Sequence, residues 1–212
     1  MSNPFHIRME YKLKTLNETG VHENPMKQFQ IWFDEALHSR ITEPNAMMLA
    51  TSSKKGELSS RIVLLKELDE NGFYFFTNYL SKKGLQILEN PNASLLFFWP
   101  ELERQVRLEG IIEKISASAS DQYFESRPEK NKIAAWSSQQ SKFIESREQL
   151  ENQFDINLNF YANKTIPRPE YWGGYLFKPV LIEFWQGREN RLHDRIVYLL
   201  KEKKWTINRL QP

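Results

Sequence analysis

Between Ala46 and Ile115 the chain is cut into five short β-like runs: Ala46–Thr51, Ser60–Lys66, Phe73–Thr77, Ala93–Phe98 and Gln105–Ile115. Turn signals separate them, and Asp69-Glu70-Asn71-Gly72 carries the Asn-Gly dipeptide of a tight hairpin between the second run and the third. Five strands in so short a stretch imply an antiparallel sheet or barrel. Strands resume after the Pro167-Arg168-Pro169 break, at Trp172–Phe177, Val180–Gln186, Asp194–Leu200 and Trp205–Arg209.

Helices are expected around this sheet. Asn24-Pro25 opens one in which Met26, Phe29, Ile31, Trp32, Phe33, Ala36 and Leu37 recur at roughly helical spacing. Ser81–Glu89 reads as a short helix stopped by Asn90-Pro91. Further helices are expected over Ala119–Glu125, Glu129–Trp136 and Ser146–Tyr161. Residues 1–23 are polar without strong periodicity and read as an extended arm. No internal repeat or linker interrupts 24–212, so a single α+β domain, mostly antiparallel, is the simplest account.

Composition removes several chemistries. The chain has no cysteine, which excludes disulfides, iron–sulfur clusters and thiol nucleophiles, so redox work requires a bound cofactor. Its four histidines form no His-x-x-x-His pair, and no metal site is expected. A Gly-x-Ser-x-Gly elbow, a Gly-x-Gly-x-x-Gly turn and a Walker loop are all absent, and with 8 glycines in 212 residues any phosphate must be held by side chains. Net charge is +2 with acids and bases interspersed, which favours neither nucleic acid nor membrane as a partner. With no apolar run at the N-terminus and none long enough to span a bilayer, a soluble cytoplasmic protein is expected.

Two clusters carry candidate chemistry. Arg61-Ile62-Val63-Leu64-Leu65-Lys66 is an apolar run with a cation at each end; on one strand the two cations project to opposite faces and serve different anions. Thr77-Asn78 leads into Ser81-Lys82-Lys83 at a helix start, where free N–H groups and the helix dipole reinforce the lysines as a phosphate site; the alternative is that both lysines are solvated surface charges. The second cluster is Glu183-Phe184-Trp185-Gln186, then Arg191-Leu192-His193-Asp194-Arg195. On an extended strand Arg191, His193 and Arg195 share a face, giving a cationic, titratable surface aimed at an anion.

These motifs, with Phe75-Phe76-Thr77-Asn78, Glu103-Arg104-Gln105-Val106, Tyr123 to Pro128, Trp136 to Ser141 and Tyr171-Trp172-Gly173-Gly174, resemble in order and spacing the pyridoxine (pyridoxamine) 5′-phosphate oxidase family. The resemblance runs from about Arg8 to the C-terminus. It implies a split β-barrel homodimer with FMN in the dimer interface. The reaction implied oxidises pyridoxine 5′-phosphate or pyridoxamine 5′-phosphate to pyridoxal 5′-phosphate by hydride transfer from C4′ to flavin N5, with O₂ reduced to H₂O₂. A related split-barrel oxidase on another substrate, or a non-catalytic FMN-binding protein, is the alternative.

By position, the resemblance assigns the FMN phosphate and ribityl chain to Arg61, Lys83 and Ser141, with Thr77, Lys82 and Gln140 nearby. The run Ile62 to Lys66 and Phe76 are further cofactor-binding positions, and Gln105, Trp185 and Arg195 fall to the isoalloxazine. Lys66, Tyr123, Arg127 and Asn131 fall to the substrate phosphate. Arg191, Leu192 and His193 fall to the substrate ring, with Arg191 and His193 as the catalytic pair, while Arg8 and Tyr11 belong to an N-terminal segment that folds over the substrate. Read as residues alone, Trp185 also suits a core aromatic, Tyr123 helix packing, and Gln105 a partner for strand backbone. The chain departs from the family pattern at Asn131, where serine is usual, at Phe76 for tyrosine and at Lys82 for arginine.

Overall fold

The computed structural model describes residues 10–212. Helix α1 (Pro25–Leu37) starts where Asn24 accepts hydrogen bonds from the Met26 and Lys27 amides and Pro25 supplies the fixed φ of a first helical residue. The remaining helices are α2 (Lys82–Glu89), α3 (Ala117–Glu125), α4 (Glu129–Ser137) and α5 (Arg147–Phe160). Ser81, Ser116 and Ser146 cap α2, α3 and α5 through their hydroxyls. The Ser116 cap carries α3 two residues upstream of the start expected from periodicity.

The strands are β1 (Ala46–Ser52), β2 (Leu58–Leu64), β3 (Glu67–Asp69), β4 (Gly72–Asn78), β5 (Asn92–Trp99), β6 (Arg104–Lys114), β7 (Trp172–Gln186), β8 (Asp194–Lys201) and β9 (Lys204–Arg209). They hydrogen-bond in the order β2-β1-β5-β6-β7-β4-β3, with β8 joining β7 to β9. This is the α+β class with flanking helices expected from the sequence.

Two strand boundaries differ from expectation. The run Ser60–Lys66 does not continue as one strand: β2 ends at Leu64, and after Leu65-Lys66 the chain restarts as β3, which forms the hairpin with β4. In that hairpin Glu70 and Asn71 are the loop, while Gly72 is already the strand partner of Asp69. The Asp69 carboxylate closes the turn by accepting from the Asn71 and Gly72 amides. Gly72 is required there, since its φ is +148° and a Cβ would come within 2.0 Å of the Phe177 carbonyl. Conversely, the two expected strands around Lys178-Pro179 are one strand, β7. Pro179 falls between the β4 register, which ends at Phe177, and the β8 register, which begins at Leu181. Neither of these two registers asks for the N–H that proline lacks.

The chain packs as two compact units. The first takes the described residues up to Met48 together with Ser94–Gly110 and Pro179–Pro212. Its core holds Phe29, Phe97, Trp32 and Phe184, with Phe29 4.9 Å from Phe97 and Trp32 5.1 Å from Phe184 between ring centroids. The stretch described from residue 10 has no helix or strand before α1, and it is tied down. Leu16 is buried and donates its amide to Asp194, and Arg209 donates to the Leu16 carbonyl.

The second unit takes Leu49–Ala93 and Ile111–Lys178. Phe73, Phe75, Phe124, Ile133, Tyr175 and Phe177 are buried in it. β4 and β7 pair from Phe73↔Phe177 to Asn78↔Trp172, which sets Phe75 against Tyr175 at 5.5 Å. Gly84 permits the first turn of α2 to lie on the Tyr79 backbone, where a Cβ would sit 2.1 Å from a carbonyl oxygen.

Candidate active site

The second unit contains a cavity of about 800 Å³ whose lining includes Arg61, Lys66, Lys82, Lys83 and Arg127 but, among the described residues, no carboxylate. Lys83 is 7% exposed and donates to three neutral oxygens: Gln140 Oε1 at 2.8 Å, Thr77 Oγ1 at 3.1 Å and Ser81 Oγ at 3.1 Å. Burial, and after it the nearby Arg61 charge, bring its pKa down to about 8. Lys83 is therefore a buried cation rather than the solvated surface charge that the sequence left open; its neighbour Lys82 is exposed.

Arg61 projects from β2 toward β1, where its guanidinium donates to the Leu49 carbonyl at 3.0 Å, to Thr51 Oγ1 at 2.7 Å and to Ser59 Oγ. Gln86 of α2 accepts from both Thr51 and Ser59 hydroxyls, so the supporting oxygens are fixed in turn. Burial lowers the Arg61 pKa.

On the α3 side of the cavity, Phe76 and Tyr123 stack at 3.7 Å with planes 14° apart, and Trp172 lies 5° from parallel to Tyr123. Arg127 lies over the Trp172 ring at 4.4 Å, and its Nη1 is buried with no hydrogen-bond partner. Ser141 lines the cavity with a φ of +72°, a left-handed conformation that costs a non-glycine residue energy and clusters at functional sites.

The cavity thus gathers Arg61, Ile62, Val63, Leu64, Lys66, Phe76, Thr77, Lys82, Lys83, Tyr123, Arg127, Asn131, Gln140 and Ser141 from the sequence-derived set. Leu65 is buried and is not part of the lining. Arg61 and Lys66 share this cavity instead of serving opposite faces, because Lys66 lies past the end of β2 and the alternation of a strand no longer governs it. The sequence reading gave no role to Ser59, Ser60, Ser126, Pro128 or Trp172, which also line it. Ser59 was recoverable, being two residues before Arg61 and therefore on the same strand face.

The remaining candidates lie in the first unit. Trp185, His193 and Tyr11 form a ring cluster, with Trp185 4.6 Å from His193 and 5.7 Å from Tyr11. Gly187 makes room for Tyr11, whose Cγ would stand 2.6 Å from an added Cβ. The Arg188 amide donates to His193 Nδ1 at 3.1 Å, leaving the neutral ring its proton on Nε2. Burial first, then the Arg191 charge, lower the His193 pKa.

Arg191, His193 and Arg195 do not lie on one strand. Asn190 and Arg191 have left-handed φ values of +55° and +62° in a 3₁₀ turn, and β8 begins at Asp194. Arg191 and Leu192 are exposed, and Gln105 is half-buried on β6. Arg195 does not present a free cation: its Nε donates to Glu183 at 2.7 Å, and Arg107 holds the other Glu183 oxygen at 2.8 Å. Burial opposes ionisation of Glu183, but the hydrogen bonds from Arg195 and Arg107 outweigh it and keep its pKa lowered. Arg8 lies outside the described residues.

Among the described residues no group of three or more His, Asp or Glu side chains could hold a metal ion, and no helix is long and apolar enough to cross a membrane.

Residues 33–155 match the family model described as pyridoxamine 5′-phosphate oxidase, and residues 172–212 match the pyridoxine 5′-phosphate oxidase C-terminal dimerisation region. The chain is 52% identical over 206 residues to the pyridoxine/pyridoxamine 5′-phosphate oxidase of Cyanothece sp., covering 97% of each chain. It is 51% identical over 208 residues to the enzyme of that name from Aliarcobacter butzleri, covering 98% of each. Among solved structures, PhzG from Burkholderia lata in complex with tetrahydrophenazine-1-carboxylic acid aligns with a TM-score of 0.89 at 29% identity, over 94% of this chain and 99% of that one. A pyridoxamine 5′-phosphate oxidase-related, FMN binding protein from Nostoc punctiforme shares the fold at a TM-score of 0.69 and 18% identity, over 87% of this chain and 97% of that one. An acid-free cationic cavity, the split-barrel fold of these relatives and half-identity along nearly the whole chain lead to one conclusion: this chain is a member of the pyridoxine/pyridoxamine 5′-phosphate oxidase family.

Proposed function

We propose that the protein oxidises pyridoxine 5′-phosphate or pyridoxamine 5′-phosphate to pyridoxal 5′-phosphate, with FMN as cofactor and O₂ as the final acceptor, as a homodimer. The observation that carries the reading is the cavity with five cationic side chains and no acid in its lining. A buried cation without an ionic partner is costly. Lys83 is the buried one; Arg61 and Arg127 are half-buried, and Lys66 and Lys82 line the cavity from exposed positions, so the acid-free lining offers cations enough for two phosphorylated ligands.

The residues present fit FMN. Lys83, with only neutral oxygens around it, and Arg61 would hold the phosphate, while Thr77, Lys82, Gln140 and Ser141 offer further donors for it and for the ribityl hydroxyls. FMN, when bound, supplies the two-electron acceptor and the route to O₂. Lys66, Tyr123, Arg127 and Asn131 would take the substrate phosphate, Asn131 through its amide N–H.

Trp185, Gln105 and Arg195 are assigned to the isoalloxazine, and Arg191, Leu192 and His193 to the substrate ring. His193 is poor as a base, because its pKa is lowered and Nδ1 already accepts the Arg188 amide. Its Nε2–H can donate to the C4′ substituent and orient the C–H bond, so rate comes chiefly from positioning. Arg8, Glu10 and Tyr11 belong to the arm assigned to covering the substrate.

Anaerobic addition of pyridoxamine 5′-phosphate to the FMN-loaded protein tests this: the flavin absorbance should bleach and return with H₂O₂ when O₂ is admitted. An unbleached flavin refutes the oxidase. The likeness to PhzG supports a second reading, an oxidase of a tricyclic acid, and bleaching by a phosphate-free tricycle but not by the phosphorylated amine would favour it.

A further inference from the structure

We propose that Trp172 is a positioning residue: its ring holds the Arg127 guanidinium toward the substrate phosphate without cancelling its charge. The inference rests on the assignment of Arg127 to that phosphate and adds the device that presents it.

Five arginines of the first unit are held by acids: Arg104 by Glu35, Arg107 and Arg195 by Glu183, Arg188 and Arg209 by Asp194. Arg127 is held differently. Its guanidinium lies 4.4 Å above Trp172 and 5.5 Å from Phe124, with no carboxylate in the cavity lining and Nη1 left without a partner. A carboxylate would fix a guanidinium equally well, but it would compete with an incoming phosphate. A ring face attracts the cation through its quadrupole and leaves the N–H edge free.

Trp172 is itself held firmly. It is 8% exposed, pairs with Asn78 across the β4–β7 ladder and lies near-parallel to both Phe76 and Tyr123. Phe124 packs edge-on against it at 5.2 Å. Gly173 follows it so closely against Tyr79 that a Cβ would meet the phenol oxygen at 2.2 Å, so the backbone at this point has little freedom. The same stack carries Tyr123, so one rigid aromatic platform sets two of the residues assigned to the phosphate.

Steady-state kinetics of the FMN-loaded enzyme with pyridoxamine 5′-phosphate and with unphosphorylated pyridoxamine test the proposal. Trp172→Leu is expected to raise KM for the phosphorylated amine roughly tenfold with kcat changed less than about twofold, and to leave kcat/KM for pyridoxamine unaltered. Trp172→Phe, which keeps a ring face, recovers most of the loss. In an Arg127→Leu background, Trp172→Leu raises KM far less than it does in the wild type, leaving only what passes through Tyr123. An equal loss on both amines overturns the positioning role, as does an unchanged KM for Trp172→Leu when Arg127→Leu raises it. If Arg127→Leu leaves KM unchanged, the phosphate assignment itself fails and the proposal with it. Should Trp172→Leu not accumulate as folded protein, fluorinated tryptophans installed at position 172 decide the matter: KM rising with each fluorine supports the cation–π hold, and a flat series overturns it.

Discussion

The two cation-rich regions of this protein are opposites in how their charge is balanced. In the first unit Glu183 sits 1% exposed between Arg107 and Arg195, and Asp194 takes Arg188, Arg209 and the Leu16 amide. In the second, Lys83 has only neutral oxygens and Arg127 has aromatic faces. From sequence, the first looked like the anion-seeking face, because its cations are crowded within a few residues. Crowding along the chain is a poor guide to free charge. What counts is whether a carboxylate has folded against a cation: one has for Arg104, Arg107, Arg188, Arg195 and Arg209 of the first unit, and none lines the cavity.

The sharpest way to break that comparison is Lys83→Met. If the cavity cation is held in reserve for a ligand, FMN affinity falls about a hundredfold, the worth of charge-assisted hydrogen bonds to a phosphate. The FMN-free protein should meanwhile be no less stable than wild type, because a buried, uncompensated charge has been removed. Flavin titration and urea denaturation of the FMN-free protein measure the two, and a clear loss of stability without ligand contradicts the contrast.

Glu183→Gln probes the other side. It leaves Arg107 and Arg195 sharing a neutral group, and since both arginines are about one-third exposed, the cost is put at about 2 kcal/mol, less than for a fully buried pair. This loss should appear with or without FMN, as a lower denaturation midpoint. A destabilisation seen only in the FMN-loaded protein places Glu183 among the ligand-holding groups instead.

The finest distinction is in pH. Lys83 has a folded pKa of about 8 against an ordinary 10.5, so the unfolded chain binds the extra proton more readily. Its contribution to stability is fully present above the ordinary value and is lost as pH falls through about 8. The FMN-free wild type should therefore gain stability relative to Lys83→Met as pH rises through this window. No change in the difference between the two proteins would mean that Lys83 is better solvated, or better paired, than its surroundings indicate.

Much of the fold was legible because its signals are local. Asn24-Pro25, Ser81 and Ser146 begin their helices through hydrogen bonds to amides two or three residues away. The short apolar runs became strands for the same reason. The break at Leu65-Lys66 and the continuity of β7 through Pro179 were not legible. Both depend on which neighbour claims each N–H: Lys66 donates its amide to the Tyr74 carbonyl, and Pro179 lies between two registers. Likewise Lys83 and Lys82 are adjacent and chemically alike in sequence, yet one is buried under Thr77 and Gln140 and the other is exposed.

Residue identity and short spacing are enough to set the element types, the absence of thiol chemistry and the motifs by which a phosphate-binding family is recognised. Tertiary structure alone decided which cations are neutralised. Glu183 meets Arg107 from seventy-six residues away, while Arg127 meets a tryptophan where an acid would have silenced it. Charge compensation is a matter of angstroms in space, and spacing along the chain does not encode it.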